Sequence, residues 1–147
     1  MKREELVYEI IQKNPAIRYN SIMRKSELKN GTLTHYLQKL EDTGKIIVER
    51  TPRVPHFFDF KISPTDVQLH KFLSQSTLRD VIRLLHENGT LTFSEIRDGI
   101  NKSSATTSVS LNRLFRNNII EKSYDIPSNK YSLKNTKKIS LILTQYY

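Results

Sequence analysis

At 147 residues the chain holds one ordinary domain or two small ones, and its 37% hydrophobic and 27% charged residues exclude a disordered chain. It has no cysteine, which excludes disulfides and thiolate metal sites, and no apolar run near the roughly 18 residues of a membrane span. A net charge of +9 and a pI near 9.8, spread without a solid basic block, fit an acidic partner such as nucleic acid, and the charged start MKREELVYEI points to a cytoplasmic protein rather than a secreted one.

Residues 3–13 read as an amphipathic helix, with Leu6, Val7, Ile10 and Ile11 on one face. Asn14-Pro15 ends it, because the residue before proline is pushed out of the helical region. Asn20 or Ser21 is placed to cap a short second helix running to Lys25. Asn30-Gly31 reads as a break, followed by a third helix over 32–43 with Leu33, Leu37 and Leu40 inward and Gly44 as its left-handed stop. KIIVER (45–50) and HFFDF (56–60) then switch to strand-type residues around the stiff tip TPRVP, a β-hairpin whose Phe57, Phe58 and Phe60 face the core. Three helices and a hairpin make a winged helix-turn-helix.

Ser63-Pro64 opens a connector, where Thr65 is placed to cap a helix carrying Leu69, Phe72 and Leu73 on one face. The pattern then repeats 74 positions on, so that Val7 matches Val81, Asn14 matches Asn88, Ile22 matches Ile96 and Leu40 matches Leu114. A period this long means a duplicated domain rather than a solenoid. The second copy runs from a cap at Ser76, through helices capped by Ser94 and by Ser103 or Ser104, to a hairpin around DIPSN. Asn135 is placed to cap a last helix with Ile139, Ile142, Leu143 and Tyr146 in a stripe. The fold class expected is mainly α with small β-hairpins (α+β). The division is 1–62 first winged helix, 63–75 connector helix, 76–134 second winged helix and 135–147 C-terminal helix.

No enzyme or cofactor signal appears. The four histidines, His35, His56, His70 and His86, lack metal-ligand spacing, and no glycine-rich phosphate loop is present. The outward face of the third helix carries Thr32, Thr34, His35, Gln38 and Lys39, short hydroxyls and long donors of the kind that read base edges and phosphates in a major groove. Arg50, Arg53 and His56 make a basic wing suited to phosphate or the minor groove. In the second copy Thr106, Ser108, Asn112 and Arg113 are the corresponding outward positions. Val109 replaces His35, and Asp125 in the wing tip opposes phosphate. A solvated polar face is the bland alternative for the first of these helices, and a weak helix start is that for the Ser/Thr run of the second.

RYNSIMRKSELKNGTLTHYLQKLEDTGKIIVERTPRVPHFF resembles the winged helix-turn-helix of archaeal transcriptional regulators of the MarR/ArsR type, with NGTLTHYLQKLEDTGKI its most specific part. The segments DVIRLLHENGTLTFSEI, SLNRLFRNNIIEKS and KYSL are similar to the degenerate second winged helix of tandem members. The resemblance implies sequence-specific binding of double-stranded DNA, transcriptional control as output and a homodimer. The metal ligands of the ArsR type have no counterpart here. Leu69, Phe72, Leu73, Ile139, Ile142, Leu143 and Tyr146 lie outside both minimal winged helices, and their apolar surface needs cover, either by the two stripes packing within one chain or, the favoured reading, by dimerisation through at least one of them. Two other classes remain open. One is a tandem winged-helix adaptor of the chromosome-condensing or polymerase-associated type, which needs no positive face. The other is RNA binding, which favours exposed aromatics.

Overall fold

The computed structural model describes residues 2–50, 53–124 and 127–147. Two units divide the chain: Met1–Ser74 with Tyr146, and Gln75–Gln145 with Tyr147. Thr51 and Pro52 of the expected wing tip and Asp125 of the second tip lie outside the described residues.

In the first unit, α1 spans Arg3–Lys13 and buries Val7 and Ile11, one turn apart. Glu4 and Glu5 in its first turn and Lys13 in its last match the helix dipole. Asn14 ends it by donating its side-chain amide to the Ile10 carbonyl at 2.8 Å. A two-residue strand β1 (Ile17–Arg18) leads directly into α2 (Tyr19–Ser26). The strand leaves Arg18 in extended conformation as the cap position, so neither Asn20 nor Ser21 caps α2. Helix α3 spans Asn30–Asp42 and buries Leu33, Leu37 and Leu40. It starts two residues before the sequence suggests. Asn30-Gly31 is tolerated there because the first helical N–H groups have no intrahelical acceptor to lose. Gly44 has the expected positive φ of 75°.

Strands β2 (Ile46–Glu49) and β3 (His56–Asp59) pair antiparallel with Val48 opposite Phe57, and β1 pairs on the other edge of β3 with Ile17 opposite Phe57. The sheet order is β1-β3-β2, which makes β3 the central strand, buried at all four positions. Alternation sends Phe57 into the helical core with Val7, Ile11, Ile22, Leu33 and Leu40. Phe58 points the other way, onto Ala16 and Ile62. Phe60, expected in the core, lies just past β3 and is 49% exposed. The Tyr8 hydroxyl donates to Asp59 Oδ1 at 2.6 Å, tying α1 to the end of β3, and burial with this carboxylate pushes the phenol up to about 12. Thr65 sits in a 3-10 turn (Pro64–Asp66) rather than capping a helix, and α4 follows at Val67–Leu73.

The second unit contains α5 (Ser76–Asn88), β4 (Thr90–Thr92), α6 (Phe93–Ile100), α7 (Ser104–Arg116), β5 (Ile120–Ser123) and β6 (Lys130–Leu133). Its sheet order, β4-β6-β5, is that of the first unit. Ser76 is the first helical residue, with Gln75 in the cap position. The cap of α6 is Thr92 instead of Ser94, because β4 ends there. Its hydroxyl accepts from the Glu95 amide at 3.3 Å while Glu95 accepts from the Thr92 amide at 2.9 Å. Reciprocal caps of this type are worth about 1 kcal/mol. Thr92→Ala should lower the stability of this unit by about that amount, read as a shift of the urea midpoint at constant slope. At the position matching Leu33 stands Thr107, fully buried, which satisfies its hydroxyl on the Ser103 carbonyl at 2.8 Å.

Helix α8 spans Thr136–Tyr146, and Asn135 before it makes no side-chain cap despite its positive φ of 49°. Leu69, Phe72, Leu73, Ile139, Ile142 and Leu143 are all buried by the single chain, and Tyr146 is half-buried. The single chain thus buries both stripes itself, the alternative to pairing them across a dimer. On α8 the exposed apolar side chain is Leu141, 71% accessible. Among the described residues, no helix is long and apolar enough to cross a membrane.

Candidate nucleic-acid interface

Helix α3 packs its leucines on α1 and turns Thr34, His35, Gln38 and Lys39 outward, all exposed as expected, while Thr32 is half-buried. The face is not uniform along its length. Toward the C-terminus each long side chain is engaged by a carboxylate. Gln38 donates to Asp42 at 2.9 Å, Lys39 pairs with Glu4 at 3.3 Å, and Arg50 grips Glu41 through two bonds of 2.7 Å. The Arg50 guanidinium holds the Glu41 carboxyl below its usual range. These pairs are exposed and screened by water and salt, so the arginine and lysine can exchange a carboxylate for a phosphate. Asp42 and Glu41 nevertheless make this end the less favourable one for a polyanion.

The N-terminal end is different. Lys29 occupies the cap position of α3 and no side chain caps the helix. Arg24, Lys25 and Lys29 are exposed around the turn between α2 and α3, with Glu27 the one acid among them. The Tyr19 hydroxyl reaches across from α2 to bond Asn30 Oδ1, and lies 3.1 Å from the Asn30 carbonyl and 3.2 Å from Thr34 Oγ1. Tyr19, Arg24, Lys25, Lys29 and Asn30 are candidates that the sequence reading passes over. Three cations within six positions of the turn were the available signal.

On the wing, Arg53 is exposed, but His56 is not a surface contact. It is 6% accessible in the central strand, opposite Arg18 and Glu49, so the DNA-contact expectation is corrected for this residue. Burial lowers its imidazole below the ordinary value, and the positive charges of Lys71 and Arg18 act in the same direction.

In the second unit Thr106, Ser108, Asn112 and Arg113 all stand exposed on α7. The start of this helix is closed: the Ser103 hydroxyl accepts from the Thr106 amide at 3.1 Å. Val109 is 61% exposed and borders a groove of about 390 Å³ that also meets Thr77, Leu78, Ala105, Thr106 and Arg113. Arg113 donates to Gln75 Oε1 at 3.0 Å. On the hairpin, Lys122 lies over the rings of Tyr124 at 5.2 Å and Tyr131 at 5.8 Å.

A sequence model described as winged helix-turn-helix DNA-binding matches residues 2–47 and again 75–121. No curated protein matches the chain. Among solved structures it is similar to reduced HlyU from Vibrio cholerae, at 20% identity and a TM-score of 0.50 over 56% of this chain and 88% of that one. It is also similar to Lactococcus lactis ZitR, at 19% identity and a TM-score of 0.47 over 80% and 70%. The HlyU likeness bears on fold alone. The family assignment rests on the sequence match, which covers more than half of the chain and falls on both copies of the helix-turn-helix: the chain belongs to the winged helix-turn-helix DNA-binding family.

Proposed function

We propose that the chain is a transcriptional regulator that binds double-stranded DNA sequence-specifically, with α3 in the major groove and the β2–β3 wing on the flanking backbone. The observation that carries this reading is the exposed polar face of α3, whose uncapped start adjoins Arg24, Lys25 and Lys29. A helix start of this kind accepts a phosphate oxygen on its N–H groups, while the helix presents its side chains to base edges. Thr34 and His35 are the base-facing residues in this reading. Gln38 and Lys39 contribute after leaving their carboxylates, and Arg50 and Arg53 hold the backbone. In this arrangement 1–62 and 76–134 are tandem winged helices joined by the connector 63–75 and followed by the helix of 135–147. A homodimer would set two α3 helices about 34 Å apart on successive grooves. It would need a surface other than the buried stripes of α4 and α8.

Lys25→Ala and Arg53→Ala should each weaken all duplexes alike and reduce the slope of log affinity against log salt by about one. Equal, salt-insensitive binding by wild type and both variants would exclude this surface. A second reading is favoured for the other unit. The closed start of α7 and the exposed Val109 beside a groove suit contact with protein better than with phosphate, as in a tandem winged-helix adaptor.

A further inference from the structure

We infer that Asn30 is a further base-selecting residue of α3, that Tyr19 is its positioning residue, and that the pair reads the acceptor edge of guanine in the major groove. The inference rests on the reading of α3 as the DNA-facing helix.

The argument is one of proton direction. Tyr19 has a single hydroxyl proton, and it faces two oxygens of Asn30 that can only accept, Oδ1 and the carbonyl at 3.1 Å. The proton therefore goes to Asn30. The Thr34 hydroxyl, 3.2 Å from Tyr19, must then donate to the tyrosine oxygen. Donation runs in one sense, from Thr34 to Tyr19 to Asn30. With Oδ1 held by Tyr19, the exposed Asn30 side chain keeps its two Nδ2–H donors for a partner. Guanine shows two acceptors in the major groove, N7 and O6. Adenine shows one acceptor and one donor, and its pairing with asparagine needs Oδ1.

Two further observations favour this end of the helix for an anionic partner. The far end of the same face carries Glu41 and Asp42, which repel phosphate. Gly31, next to Asn30, has no heavy atom within 4 Å of where a Cβ would sit, and its φ is not positive. Nothing inside the protein requires glycine there, and the bare Cα leaves room for a ligand to approach the backbone closely.

The test is selection of bound sequences from a randomised duplex pool by the full chain, with melting temperature measured for each variant. The wild type should enrich guanine at one position. Asn30→Ala should lose about tenfold of that discrimination while keeping its salt slope. Tyr19→Phe keeps the ring that packs on the core but frees Oδ1, and should move the preference at that position from guanine to adenine. Gly31→Ala should melt higher than wild type and bind more weakly. A wild type that binds selectively while Asn30→Ala and Tyr19→Phe retain its profile overturns the inference alone. A wild type that binds no duplex overturns the reading of α3 and the inference with it. Should Tyr19→Phe fail to fold, Asn30→Ala still decides.

Discussion

Phe58→Ala should destabilise the first unit by about 3–5 kcal/mol. Phe58 is fully buried on the face of β3 opposite to Phe57, where it packs on Ala16 and Ile62, with Val67 and Tyr146 partly buried against them. This is a small cluster, with few neighbours able to move in and fill the space left by a ring. A unit of this size has a total stability of about 4–11 kcal/mol, so the substitution removes a large part of it. Urea unfolding followed through the amide resonances of the first unit reads the change. A loss below about 1 kcal/mol would mean that this side of the sheet is not closed as described.

Acid should destabilise the protein in a defined window. His70 on α4 is 1% accessible, and its ring meets the Tyr146 ring edge-on at 5.0 Å. Burial lowers its pKa from 6.5 to about 4, opposed only in part by the negative charge of Asp66. The folded state holds this imidazole neutral where the unfolded state would protonate it. Between pH 6.5 and about 4 the unfolded chain binds more protons, so stability rises with pH across that interval and is fully present above it. The difference of two to three pH units corresponds to about 3 kcal/mol. His56, buried in β3 and also lowered, adds in the same direction. Urea midpoints at pH 7.5 and pH 4.5 measure the loss, and His70→Phe should remove the larger part of it, leaving the contribution of His56. A stability that stays level down to pH 4 would show that His70 is hydrated in the folded protein.

Long elements were legible in the sequence because their periodicity is long. The bounds of α1, the leucine face of α3 and the two hairpins follow from spacing, and the 74-position offset carries them into the second copy. Strands β1 and β4 were not legible, since two or three residues have no period to read. Their omission had a cost at the site. Without β1, β3 reads as an edge strand with His56 free to face solvent, whereas in the sheet it is central and covered. The apolar stripes of α4 and α8 were correctly located, but a one-dimensional pattern does not say whether the chain itself covers them. The exposed face of α3 could be read residue by residue. Which of those residues are already held by Glu4, Glu41 or Asp42, and that Tyr19 reaches Asn30 eleven positions away, depends on side-chain directions that only the fold defines.

The two copies also differ in how they treat water. At the start of α7 the hydroxyl of Ser103 fills the place of a solvent molecule on the Thr106 amide. At the start of α3 no side chain does so, and the first N–H groups of the helix have no intrahelical acceptor, which makes them sites for solvent. An ordered water held on such groups carries an immobilisation entropy of about 0–2 kcal/mol, which returns to the solvent when a phosphate oxygen takes its place. The start of α7 therefore has one N–H group fewer to release solvent from than the start of α3, so an anion docking on α7 gains less from dehydration at that point.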